Sequence, residues 1–210
     1  MSQREGGTVG RYTTGARINH WITAISLILM ALSGMALFHP SLFFLTNLFG
    51  GGQMTRTIHP WIGVILLLSF SGLFFRFVRY NLWGRDDTQW MKQVGDVVNA
   101  RDEKLPEVGR YNAGQKLVFW GMTILIAVLF ASGIVLWDVY FADYTSVGQK
   151  RLAALVHAAF AIGAILIWIV HVYAAIWVKG TVRAMTRGSV TGGWAWRHHR
   201  KWLRDEAHKR

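Results

Sequence analysis

Four stretches of this 210-residue chain, at 18–38, 57–75, 117–137 and 152–178, are apolar and carry no Asp, Glu, Lys or Arg, and charged or turn-forming residues bound them. An α-helix rises 1.5 Å per residue, so about 20 apolar residues cross the ~30 Å hydrocarbon core of a bilayer. Each stretch is expected to be a transmembrane helix, the last tilting or projecting because it would be roughly 40 Å long. Pro40 ends the first span. The apolar run 41–49 is too short to cross and Gly50 to Gly52 break it, so it reads as an interfacial loop. Residues 1–17 then form an N-terminal tail, 76–116 a polar loop and 179–210 a basic C-terminal tail. The fold class that follows is all-α, an integral membrane four-helix bundle.

The bundle carries an internal repeat. Gly10, Arg11, Tyr12, Gly15, Arg17, Trp21, Ser33 and Gly34 recur, with Arg17 conservatively changed to lysine, at Gly109, Arg110, Tyr111, Gly114, Lys116, Trp120, Ser132 and Gly133, at a constant offset of 99. His59 and His157 correspond at an offset of 98. A two-helix hairpin duplicated in the same orientation gives this pattern. The Ser-Gly pairs, including Ser71 and Gly72, let helices or a flat macrocycle approach closely, and plain helix packing is the commoner reason for them.

Composition narrows the chemistry. Apolar residues make up 52% of the chain and cysteine is absent, which excludes thiolate-bound iron–sulfur clusters, covalent c-type haem and disulfides. The net charge of +12 flanks the apolar runs, so it reflects membrane topology and not nucleic acid. Alternate segments outside the spans hold 20 and 3 Lys and Arg, which predicts cytoplasmic termini and central loop with two short outer loops. Trp21, Trp61, Trp120, Trp137 and Trp177 fall near span ends, as an aromatic belt requires. Residues 1–17 have no apolar region or cleavage site of a signal peptide.

Ionisable groups inside a span are costly and ask for a partner. His157 and His171 lie fourteen residues apart on the fourth span, which on a helix is four turns less ~40°, one face, and ~21 Å of axial separation. That is too far for one metal ion and suits two cofactors at different depths. Packing or hydrogen-bonded histidines are the bland reading; within a membrane, ligation of haem iron outweighs it. Topology supplies a test, because a haem held by two histidines needs both at one depth. His59 and His157 fall in the outer half, and His20 and His171 in the inner half. Two non-covalent b-type haems are therefore expected, and six-coordinate iron of this kind carries electrons without binding substrate. His39 is the alternative to His59 as outer ligand. His198, His199 and His208 are expected to be solvated in the tail, and Asp138 and Asp143 to be ordinary loop residues or partner contacts.

The motifs R-Y-x-x-x-x-R-I-N-H-W (Arg11 to Trp21), I-H-P (Ile58 to Pro60), G-R-Y-N-x-G-Q-K (Gly109 to Lys116) and I-V-H-V-Y-A-A-I-W-V-K-G-T (Ile169 to Thr181) resemble the cytochrome b, or gamma, subunit of membrane-bound respiratory formate dehydrogenases, nearly end to end. The resemblance implies a bacterial inner membrane location. It also implies an iron–sulfur beta subunit and, through it, a molybdenum or tungsten pterin alpha subunit that oxidises formate outside the cytoplasm. A higher oligomer of that heterotrimer stays open. It carries the outer haem onto His59 and His157, the inner haem onto His20 and His171, and a quinone site, for menaquinone or ubiquinone, onto Asn112, Gly114, Gln115 and His171. Read alone, Asn112 and Gln115 are loop or cap residues. Competing functions are the same subunit serving a hydrogenase or sulfur-compound reductase, a histidine-relay proton transporter, and an inert anchor; the last two predict no haem.

Overall fold

The computed structural model describes residues 7–99, 101 and 105–208. Parts of the expected tails and loop, at 1–6, 100, 102–104 and 209–210, lie outside the described residues. Among the described residues four helices are long and apolar enough to cross a membrane. They are α1 (Thr14–Phe38), α2 (Gly52–Phe77), α5 (Ala113–Leu136) and α7 (Val147–Trp177). Short helices α3 (Arg85–Lys92) and α4 (Val94–Val98) follow α2, and α6 (Asp138–Phe141) follows α5. After α7 come α8 (Thr181–Arg187), α9 (Gly192–His198) and α10 (Arg200–Ala207), and there are two short strands, β1 (Thr8–Gly10) and β2 (Ser189–Thr191).

Each long helix begins four or five residues before the apolar run that announces it. The reason is capping. The Thr13 hydroxyl accepts from the Ala16 N–H at 3.3 Å. Asn112 and Gln115 form a reciprocal box, backbone N–H to side-chain oxygen at 3.0 and 2.9 Å. Ser146 and Gln149 do the same at 2.8 and 3.3 Å. Thr55 closes the start of α2 by donating its N–H and hydroxyl to the Gly51 carbonyl, at 2.9 and 2.8 Å. Polar first turns satisfy orphan backbone donors, and no hydropathy pattern registers them. The expected interfacial loop at 41–49 is also ordered: Pro40–Phe49 is a 3-10 helix, capped by His39 and ended by Gly50 at φ 84°.

The chain divides into two compact units. The apolar unit comprises Ile18–Phe75 and Gly121–Val170. Many of its large side chains are exposed, Leu68, Phe75 and Leu155 by 68, 77 and 69%, while Ala36, Ser33, Thr55 and Ser132 are buried along with a few larger residues such as Leu66 and Ile126. This inversion of a soluble core belongs to helices solvated by lipid, where small residues and hydroxyls make the contacts. The α1–α2 contact illustrates it: the Ser69 hydroxyl donates to the Asn19 side-chain oxygen at 2.6 Å and lies 2.8 Å from the Thr23 hydroxyl. A Cβ at Gly72 would stand 2.7 Å from the Asn19 amide nitrogen, so any larger residue there would displace that amide.

The polar unit gathers Met1–Arg17, Arg76–Trp120 and His171–Arg210. β1 pairs antiparallel with β2, Val9 opposite Val190. Val190, Trp194, Ala195 and Trp202 make a core with Val9, Tyr12 and Leu203. The C-terminal segment is therefore folded, which corrects the expectation for His199. That residue is 1% exposed, its Nδ1 2.8 Å from the Gly109 carbonyl and its Nε2 3.3 Å from the Arg11 guanidinium. An arginine only donates, so Nε2 accepts and Nδ1–H donates to Gly109. Burial first, then the Arg11 charge, hold the imidazole down at about 3. His198 stacks tilted on Trp194 at 5.5 Å and is half-buried, and only His208 of the three is exposed.

Arg11 and Arg110, the repeat partners, each donate to the other's backbone carbonyl at 2.6 Å. The Arg11 head lies 4.6 Å from the Trp202 ring and 5.8 Å from Tyr111, and Arg110 lies 5.6 Å from Tyr12. Aromatic faces take the place of counter-ions for buried Arg11 and half-buried Arg110. Burial, reinforced by Tyr12, pushes the Tyr111 phenol up, so it stays protonated. Lys116 and Asp87, 12 and 5% exposed at the side chain, pair at 2.7 Å, and Asp87 also accepts from the Gly84 N–H at the start of α3.

Candidate functional site

Within the apolar unit, α2 and α7 turn His59 and His157 towards each other with ring centroids 6.3 Å apart and planes at 66°. Metal–imidazole bonds of about 2 Å, plus ~1.1 Å from nitrogen to ring centre, put two imidazoles on opposite sides of one metal ion ~6 Å apart. At that separation His59 and His157 could together hold one haem iron. Among the described residues no cluster of three His, Cys, Asp or Glu side chains stands ready for a bare metal ion, whereas haem iron asks for two.

Both rings are held in the same way. Nδ1 of His59 lies 2.7 Å from the Ser33 hydroxyl and Nδ1 of His157 2.9 Å from that of Ser132. Nε2 on each ring lies outside that contact and could ligate a metal. A Cβ added at Gly34 or Gly133 would stand 3.5 Å from the Cε1 of His59 or His157, so the residue beside each serine lies directly against the ring. The two halves of the site thus repeat the same residues that the sequence repeats. The hairpin duplication becomes a local pseudo-symmetry around the imidazole pair.

The other expected ligands lie elsewhere. His20, on α1 in the apolar unit, is half-buried and edge-on to Trp21 at 5.8 Å. His171 is exposed on α7 and belongs to the polar unit. His39 caps the 3-10 helix by accepting from the Ser41 N–H at 3.2 Å, and it is His59 that faces His157.

Asn112, Gly114 and Gln115 open α5 in the polar unit. Their capping box uses the two side-chain oxygens and leaves both amide nitrogens outside it as donors. Gly114 sits against Trp90, whose Cη2 would be 3.2 Å from an added Cβ. Ser33 and Ser132, whose Ser-Gly pairs read in the sequence as sites of close helix or macrocycle approach, are hydrogen-bonding partners of the two histidines. Their spacing from the histidines, 26 and 25 residues in the two repeats, was the available signal.

Lipid-exposed helices enclosing imidazoles at metal-bridging distance define the class of membrane-bound cytochromes. Residues 11–188 match the model of the prokaryotic cytochrome b561 family, and the chain belongs to that family. It is accordingly a haem-binding electron-transfer protein of the membrane, and its haem is of b type. It is 43% identical over 205 residues to the cytochrome b556(fdo) subunit of formate dehydrogenase from Escherichia coli (strain K12), covering 98% of this chain and 95% of that one. The nitrate-inducible formate dehydrogenase cytochrome b556(Fdn) subunit of the same organism is 39% identical over 90% of this chain and 87% of its own. The formate dehydrogenase cytochrome b556 subunit of Haemophilus influenzae (strain ATCC 51907 / DSM 11121 / KW20 / Rd) is 36% identical over 93% and 82%.

Proposed function

We propose that the chain is the dihaem cytochrome b subunit of a formate dehydrogenase complex, carrying electrons from an iron–sulfur subunit outside the cytoplasm to a quinone near the inner face. The observation that carries the reading is the His59–His157 pair at 6.3 Å, each ring oriented through Nδ1 by a serine. Near-full-length similarity to formate dehydrogenase subunits favours that complex over a hydrogenase or sulfur-compound reductase.

His59 and His157 would hold the outer haem and His20 and His171 the inner one. A haem at each level supplies one-electron transfer across the bilayer. The Ser33 and Ser132 hydroxyls would hold the two imidazoles against rotation. At the inner face, the amide nitrogens of Asn112 and Gln115 would donate hydrogen bonds to a quinone carbonyl beside His171, while their oxygens keep the first turn of α5 in place. Reduction there takes two protons from the cytoplasm as formate releases one outside, so charge separates without a pump.

Purified chain should show two low-spin b-type haems in a reduced-minus-oxidised spectrum, and replacing His20 or His59 with alanine should remove one haem each. An unchanged haem complement in both variants would overturn the ligand assignment. Proteoliposomes that develop no potential during formate-driven quinone reduction would overturn the charge separation.

A further inference from the structure

We infer that Ser33 and Ser132 are positioning residues that set the tautomer of His59 and His157 and hold down the reduction potential of the haem those histidines bind. The inference rests on the haem reading of this pair.

Hydroxyl geometry assigns the protons. Each serine has one hydrogen, and each hydroxyl points back at the carbonyl four residues earlier on its own helix. Ser33 donates to Leu29 at 2.7 Å and Ser132 to Val128 at 2.8 Å. Donation to the i−4 carbonyl is the ordinary habit of serine in apolar helices. With its hydrogen committed, the oxygen can meet an imidazole only as an acceptor, so the contacts at 2.7 and 2.9 Å are Nδ1–H donating to oxygen. That fixes the proton on Nδ1 and the lone pair on Nε2, the nitrogen available to iron. A serine turned the other way would stabilise the tautomer that cannot ligate through Nε2.

The same bond acts on the metal. A hydrogen bond accepted from the distal N–H of a ligating imidazole raises the ring's basicity, and a more basic ligand favours ferric over ferrous iron. Both axial ligands receive it, and both serines are buried, at 0 and 7% exposure, so water does not replace them. The Ser-Gly pair is then a cradle: serine orients the ring and glycine lies against its Cε1 edge, at 3.5 Å from a notional Cβ in both repeats.

The test compares Ser33→Ala, Ser132→Ala, the double variant, and Ser33→Thr, which keeps the hydroxyl, in the purified full-length chain by spectroelectrochemical titration. Each alanine should bias the outer haem tenfold towards the ferrous form, an upward shift of about 59 mV for one electron, with the inner haem unmoved and threonine close to wild type. Loss of the outer haem from the alanine variants but not from threonine also supports the role, since orientation then decides occupancy. Unmoved potentials in a fully loaded double variant overturn the inference, as does a threonine variant that shifts as far as alanine. Wild-type chain without haem overturns this inference and the functional reading together.

Discussion

Acid should release the C-terminal helices through His199. In the packed polar unit this imidazole is held at about 3, against an ordinary value of 6.5 once α9 and α10 detach into water. The folded value is depressed, so between about 3 and 6.5 the detached state binds more protons than the packed one. Stability is complete above 6.5 and falls as pH drops through that window. At pH 5 the cost is about 1.5 units at 1.36 kcal/mol each, ~2 kcal/mol, a roughly 30-fold rise in the opened population. Across the whole window it approaches ~5 kcal/mol. The groups around the ring, Arg11, Arg110 and His198, are themselves basic, so none offers the imidazolium a counter-charge. Hydrogen exchange of the α10 amides, corrected for intrinsic rate, reads the opening at pH 7 and pH 5. His199→Gln, which can still donate to the Gly109 carbonyl and accept from Arg11, should show no such rise. Equal pH dependence in both proteins would refute the reasoning.

Three further outcomes are expected. Arg11→Lys keeps the charge but not the fork that reaches the Arg110 carbonyl at 2.6 Å while lying over Trp202; a loss of about 2 kcal/mol should lower the thermal midpoint in detergent, and an unshifted midpoint counts against the buried arginine pair. Asp87→Ala strands Lys116, its partner at 2.7 Å, and removes the acceptor at the start of α3; the cost should be ~3–5 kcal/mol, read as premature melting of the polar unit, and a wild-type melting curve would contradict it. Asn112→Asp retains the oxygen that caps Gln115 but has no amide to give a quinone; it should fold like wild type with quinone reduction down about tenfold or more, and full turnover would remove Asn112 from the quinone site.

Much of this protein was legible in its one-dimensional pattern. Bilayer thickness sets the length of an apolar helix, so the four spans at 18–38, 57–75, 117–137 and 152–178 could be read with no structure, as could the 99-residue repeat. His59 and His157 could be matched by depth, because chain direction and helix rise place residues along the membrane normal. Tertiary structure decided what depth leaves undetermined, namely which atoms meet. Caps on Asn112 and Ser146 moved the helix starts, since backbone donors seek side-chain oxygens that hydropathy ignores. His199, in a tail whose charge reads as solvated, is a buried pin because partners 188 and 90 residues away in sequence, Arg11 and Gly109, close around it. Ser33 changed from a packing residue to a proton acceptor for His59 because hydrogen bonding depends on direction at about 3 Å, which spacing along a chain does not encode.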